Sequence, residues 1–249
     1  NNAYVVIVGD VDHAEVFRLA EQHYGPLAGR ELAKRKPQEE PAQKGIRRLT
    51  VKAPAELPTL SLGYKTPVLR DIEKDSEPYA LEMLAAILDG HDAARLNTRL
   101  VREQRLAVEI GVGYDSTARG PSLFYLQASP APGHSVAELE TALRAELTRL
   151  QQDGVSAEEL QRAKTQLIAG ETFKLDSMFA QAMEIGQMES SGIPYPQEKR
   201  ILEKLQQVSA AEVQAVARKY FTDDSLTVGV LDPQPLPDQP RPRGPKGRH

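Results

Sequence analysis

Histidine ligates metals and moves protons near neutral pH more readily than other side chains. This sequence of 249 residues holds five, His13, His23, His91, His134 and His249. A helix that shares one Zn²⁺ between two imidazoles needs them about one turn apart. No two of the five are that close in sequence. Cysteine is absent, which removes thiolate ligands, thiol nucleophiles and disulfides together. There is no Gly-x-Ser-x-Gly, no phosphate-cradling Gly-x-x-x-x-Gly-Lys, and no Gly-x-Gly-x-x-Gly after a strand. Asp10, Asp12 and His13 can be drawn as a metal cluster. Asp12, however, reads as a helix cap and Asp10 as a strand end. His91, in the Gly90-His91-Asp92 turn, reads as an exposed loop residue, and His134, just ahead of Ser135, as solvent-facing. No residue is therefore assigned a catalytic, cofactor-binding or metal-ligating role.

The elements that would position any chemistry are marked by repeated start signals. Asp12–Glu15, Ser135–Glu138, Ser156–Glu159 and Ser209–Glu212 each have the spacing of a capping box. In the first, Asp12 is expected to accept from the Glu15 amide while Glu15 reaches back to the Asp12 amide. Val11 with Val16, Val155 with Leu160 and Val208 with Val213 fall at hydrophobic-staple positions. The pattern predicts a doubly covered strand over 3–9 (AYVVIVG) and a helix over 13–23 that ends at Gly25-Pro26, with Val16, Leu19, Ala20 and His23 on one side. Residues 28–45 are polar, charged and without period, the composition of a linker. Beyond them, strands are expected at 46–52, 58–66, 107–115, 121–129 and 225–231. Helices are expected near 75–89, 93–104, 136–152, 157–185, 197–206 and 210–221. Strand following strand, then helices in a block, argues for an α+β fold with a mostly antiparallel sheet packed against helices.

Composition narrows the classes. A soluble globular chain is implied by 40% hydrophobic and 27% charged residues. The net charge of -4 and the scattered Lys and Arg speak against nucleic acid as a partner. No apolar run approaches the ~20 residues that span a bilayer, so no membrane span is expected. The chain opens on Asn1 and is expected to be a piece of a longer protein. Residues 233–249 are Pro-rich and end RGPKGRH, the composition of a disordered, solvated tail. The opening AYVVIVGDVD and the late SLTVGVLD echo one another. The echo fits a duplicated protein in which 1–27 are the closing strand and helix of a preceding half. Residues 28–45 would then be a linker and 46–232 the second half.

Four segments, in order, resemble the pitrilysin/insulinase (M16) zinc metallopeptidases. They are NNAYVVIVGDVDHAEVFRLAEQHYGPL, AILDGHDAARLNTRLVREQRLAVEIGVGY, GVSAEELQRAKTQLIAGE and YFTDDSLTVGVLDP. The resemblance covers residues 1–232 and fits the family's carboxy-terminal, non-catalytic half. It implies two similar α+β halves facing one another around a peptide-binding chamber. In that family the first half carries His-x-x-Glu-His and a more distant Glu as zinc ligands. Duplication would place the counterpart of that motif at Tyr79-Ala80-Leu81-Glu82-Met83, with Tyr79 and Met83 at the histidine positions. The distant Glu would fall near Ala169. Read without the resemblance, Tyr79 and Met83 are core residues at helical spacing. The family's non-catalytic halves also supply an Arg and a Tyr that grip substrate. Arg119 and Tyr125 lie in the corresponding region, but in poor register, and neither is given the role.

The resemblance thus implies a non-catalytic half of a zinc-dependent metalloendopeptidase, without cofactor and inactive alone. Zinc is expected in the missing half or a partner subunit. Its partners would be peptide or unfolded protein substrate and its own amino-terminal half or a catalytic subunit. The alternative is a structural or peptide-binding partner subunit of an inactive family member. Relatives of this bacterial look are often exported, so the cell envelope or periplasm fits as a compartment, although no signal is visible in the sequence.

Overall fold

In the computed structural model, which describes residues 3–33, 36 and 41–236, the chain runs α1 (His13–Tyr24), β1 (Arg47–Pro54), β2 (Thr59–Thr66), α2 (Glu77–Asp89), a π-helix (Asn97–Glu103), β3 (Ala107–Gly113) and β4 (Ser122–Pro130). It continues through α3 (Val136–Asp153), α4 (Ala157–Lys174), α5 (Met178–Ser191), a 3₁₀ turn (Tyr195–Gln197), α6 (Glu198–Gln207), α7 (Ala210–Tyr220) and β5 (Leu226–Gln234). The strands form one sheet in the order β1-β5-β2-β4-β3. Only β1 with β5 is parallel; the other three pairings are antiparallel. The expected α+β fold with a mostly antiparallel sheet is the fold observed.

Alternation along the strands decides which face is covered. Leu60, Leu62 and Tyr64 of β2 and Phe124 and Leu126 of β4 are buried under the helices, while Ser61, Leu123 and Tyr125 between them are exposed. Leu81, Met83, Leu84 and Leu88 of α2, Leu139, Leu143, Leu147 and Leu150 of α3, and Val213, Val216 and Ala217 of α7 close the same core. Phe221 joins them, its ring 4.7 Å from Tyr64 and edge-on to Phe124 at 5.0 Å. Glu146 of α3 has no exposed surface and is held by Arg99 at 2.8 Å and by Arg149. That ion triad ties the π-helix to α3.

The caps formed at Ser135, Ser156 and Ser209 are complete, with both arms of the box present. At Asp12 only one arm forms. Its carboxylate accepts from the Glu15 amide at 2.9 Å. Glu15 turns instead to the Arg18 guanidinium, two contacts of 2.6 and 2.7 Å, because a bidentate charged pair outweighs one amide.

Four further expectations are corrected. Residues 3–9 form no strand: Tyr4, Val5 and Ile7 are 64%, 61% and 54% exposed. A strand exists only where another takes up its N–H and C=O groups, and none of the described strands does so here. The helix expected over 157–185 is two helices. The turn at Leu175–Ser177 breaks it, and Ser177 caps the second by accepting from the Ala180 amide. The second helix then runs on to Ser191 and stops at Gly192, in the left-handed region at φ 88°. The helix expected over 93–104 widens over Asn97–Glu103 into π geometry, with the Gln104 amide donating to the Arg99 carbonyl at 3.0 Å. The final strand is longer than expected. Pro233 and Gln234, assigned to the tail, extend β5 and pair only with β1. The rest of the tail, from residue 237, lies outside the described residues.

Candidate functional site

Helix α2 carries the segment that duplication would match to a zinc-binding helix. Its apolar positions recur at helical spacing, so its inner face is fixed by burial. Tyr79 is 3% exposed, and its hydroxyl donates to the Ile72 carbonyl at 3.0 Å. Met83 has no exposed surface. Ala169, on α4, offers only a methyl group. A phenol already committed to a carbonyl, a buried thioether and a methyl do not fit a zinc ion. No metal chemistry is therefore derived for this position.

Glu82 differs from its neighbours. It points into a cavity of about 540 Å³ that is also lined by Leu167, Glu171 and Lys174 of α4, either side of Ala169 in sequence. Burial pushes its carboxyl up to about 7, with Asp115 adding to the shift and a hydrogen bond from Ser116 opposing it. The cavity is thus lined from both α2 and α4, and from α5 and α6 beyond them.

Across the cavity, Glu171 of α4, Glu184 of α5 and Glu198 of α6 bring one carboxylate oxygen each to within 4.8 Å of one another. Lys174 sits among them, its Nζ 2.6 Å from Glu171 and 3.4 Å from Glu184. Burial alone would lower the Lys174 pKa, but the two carboxylates outweigh it and raise it. Glu184 is raised, first by burial and next by Glu171. The second oxygen of Glu171 is buried without a hydrogen-bond partner. No local signal in the sequence marks this group. Glu171 and Lys174 share a helix, but only the break at Leu175–Ser177 folds Glu184 back against them.

The second candidate surface is the sheet face away from the helices. Leu49 and Val51 of β1 and Leu123 and Tyr125 of β4 are each close to half exposed. Gly229 of β5 and Gly63 of β2 lie between them, and Gly111 and Gly113 of β3 continue the same register rows beyond β4. Tyr125 lies across Gly113, where a Cβ would sit 2.2 Å from its ring. β3, the edge strand beside β4, carries an irregularity between Ala107 and Glu109.

Asp12 is a cap, and Asp10, Asp12 and His13 are exposed and form no metal-type group. His134 is exposed. His91 is half-buried rather than exposed, because its Nδ1 accepts from the Ala93 amide at 3.1 Å and holds the turn. Arg119 is exposed and its carbonyl accepts from Arg70 at 2.9 Å. Among the described residues no helix is long and apolar enough to cross a membrane.

Residues 1–167 match a family profile described as the peptidase M16 inactive domain. A relative from Rickettsia bellii, named an uncharacterized zinc protease, is 28% identical over 236 residues, which is 94% of this chain and 54% of that protein. Among solved structures, a protease from Helicobacter pylori superposes with a TM-score of 0.81 at 25% identity, covering 91% of this chain and 54% of that one. The peptidase M16 inactive domain from Pseudomonas fluorescens superposes with a TM-score of 0.70 at 19% identity, covering 93% and 54%. The chain spans about half the length of the relatives it matches.

Proposed function

The chain belongs to the peptidase M16 family as an inactive domain, and from that premise we propose that it is the non-catalytic half of a zinc-dependent metalloendopeptidase, completing a peptide-binding chamber. The observation that carries this reading is the bare sheet face. Leu49, Val51, Leu123 and Tyr125 remain exposed, although Leu60, Leu62 and Tyr64 of β2 and Phe124 and Leu126 of β4 pack the opposite face under the helices. A sheet with one apolar face open to solvent implies something to cover it. A second, similar half set opposite would enclose that face and make it a chamber wall.

Within such a chamber this half would bind rather than react. The outer strand β3 can pair with an extended peptide through main-chain hydrogen bonds. Gly111, whose Cβ position is open, lets a backbone approach closely there. Leu123 and Tyr125 supply apolar contact and a hydroxyl beside it. Peptide hydrolysis by zinc-activated water would belong to the other half.

The test is cleavage of a quenched peptide by this chain alone and by a protein in which it follows the preceding half. The chain alone should bind no stoichiometric zinc and cleave nothing; the joined protein should cleave and lose activity to a chelator. Leu123→Lys with Tyr125→Lys should lower kcat/KM of the joined protein about tenfold or more without changing its zinc content. Zinc-dependent cleavage by the chain alone would overturn the reading. A preceding half without His-x-x-Glu-His and without activity would make the whole protein a partner subunit.

A further inference from the structure

We propose that the cavity between α4, α5 and α6 is a pocket for a basic side chain, lysine or arginine, carried by an extended peptide. The proposal rests on the peptide-binding reading above and names what that peptide must carry. The walls are apolar, formed largely by Leu167, Met183, Met188, Leu202 and Leu205. Such walls suit the methylene stem of a long side chain, which buries its carbons while its head seeks polar groups. The polar part of the lining is acidic. Four carboxylates line it, those of Asp115, Glu171, Glu184 and Glu198, together with the Glu82 carboxyl raised to about 7, against the single ammonium of Lys174.

That imbalance leaves marks on the groups themselves. Glu184 is harder to ionise than a free carboxyl, because it is buried and because Glu171 stands beside it. Glu171 keeps one oxygen buried without a donor. A second cation entering the cavity would relieve both. At about 540 Å³ the cavity exceeds what one side chain needs, so neighbouring residues of the same peptide can enter. A bare divalent ion fits less well. Lys174 already occupies the space between Glu171 and Glu184. The hydrophobic walls also add none of the further oxygen ligands that Mg²⁺ or Ca²⁺ requires.

The experiment uses the full chain and a pair of fluorescein-labelled decapeptides that differ at one central residue, arginine or its neutral isostere citrulline. Anisotropy titration should show the arginine peptide binding about tenfold or more tightly. Glu184→Gln and Glu198→Gln should each reduce that preference severalfold or more while leaving thermal unfolding unchanged. Equal affinity for the two peptides would overturn the pocket assignment and leave peptide binding standing. A preference that survives both substitutions would place the recognition elsewhere and overturn it too. Binding of neither peptide would overturn both this assignment and the peptide-binding reading of the isolated chain.

Discussion

Glu82 and Glu159 show how far one side-chain type can be driven in opposite directions. Glu82 is raised to about 7 by burial. Its ionisation therefore costs more in the folded chain than in the unfolded one. The folded state holds the extra proton between the ordinary carboxyl range and pH 7, so this group lowers stability as pH rises through that window. Glu82→Gln should stabilise the chain at pH 8, and the gain should vanish below about pH 4; denaturant midpoints measured across pH check the sign. Burial would also raise Glu159, but the Arg95 guanidinium, 2.8 Å away, and the Ser156 amide outweigh it and hold the carboxyl at about 2. Its contribution is present above the ordinary carboxyl range and is lost as pH falls through about 2. Ser156→Ala removes the other arm of that cap and should cost about 1 kcal/mol by urea denaturation. Glu146→Gln, inside the Arg99–Arg149 triad, should cost about 1–3 kcal/mol, because a buried partner of two guanidinium groups loses its charge.

At the scale of elements, the joints carry the information. Gly154, between α3 and α4, has φ 75° and ψ −149°, a region that side chains other than glycine almost never enter. Gly154→Ala should therefore destabilise by about 1–3 kcal/mol, readable as a lower denaturation midpoint with an unchanged slope. The turn at Leu175–Ser177 matters differently. It redirects the chain between α4 and α5, and so sets Glu184 beside Glu171 and Lys174. The helix starts at 136, 157 and 210 were readable because a Ser and a Glu three residues on satisfy orphan amides locally. The break at 175–177 was not. A helical period continues across it, and Ser177 caps without a Glu at its third position.

Over the whole molecule, the first segment stands apart from the core. α1 buries none of its residues. Val6 and Gly9 lie near Gly186 and Met178 of α5. Deleting residues 1–27 should leave the thermal midpoint of the remaining chain within a few degrees of the parent. Phe124→Ala, in the centre of the core, should cost about 3–5 kcal/mol. Differential scanning calorimetry on both variants makes the comparison. If the deletion unfolds the chain, residues 1–27 are part of this core and not of a preceding half.

The amino-acid sequence alone determined the family, the α+β class and the positions of most strands and helices. Those rest on period and on local capping, interactions among residues a few positions apart. It also determined that Tyr79 and Met83 are core residues, because their spacing matches the buried face of α2. Only the tertiary structure decided that AYVVIVG, which has every local mark of a strand, is not one here. A strand depends on hydrogen bonds to a neighbour that a segment cannot supply to itself. It likewise decided that Glu82, Glu171, Glu184 and Glu198, spread over 117 positions and four helices, line one cavity. Carboxylates repel in sequence and in space alike, so no local rule brings them together. Packing of the apolar faces of their helices does, and the charges are carried along.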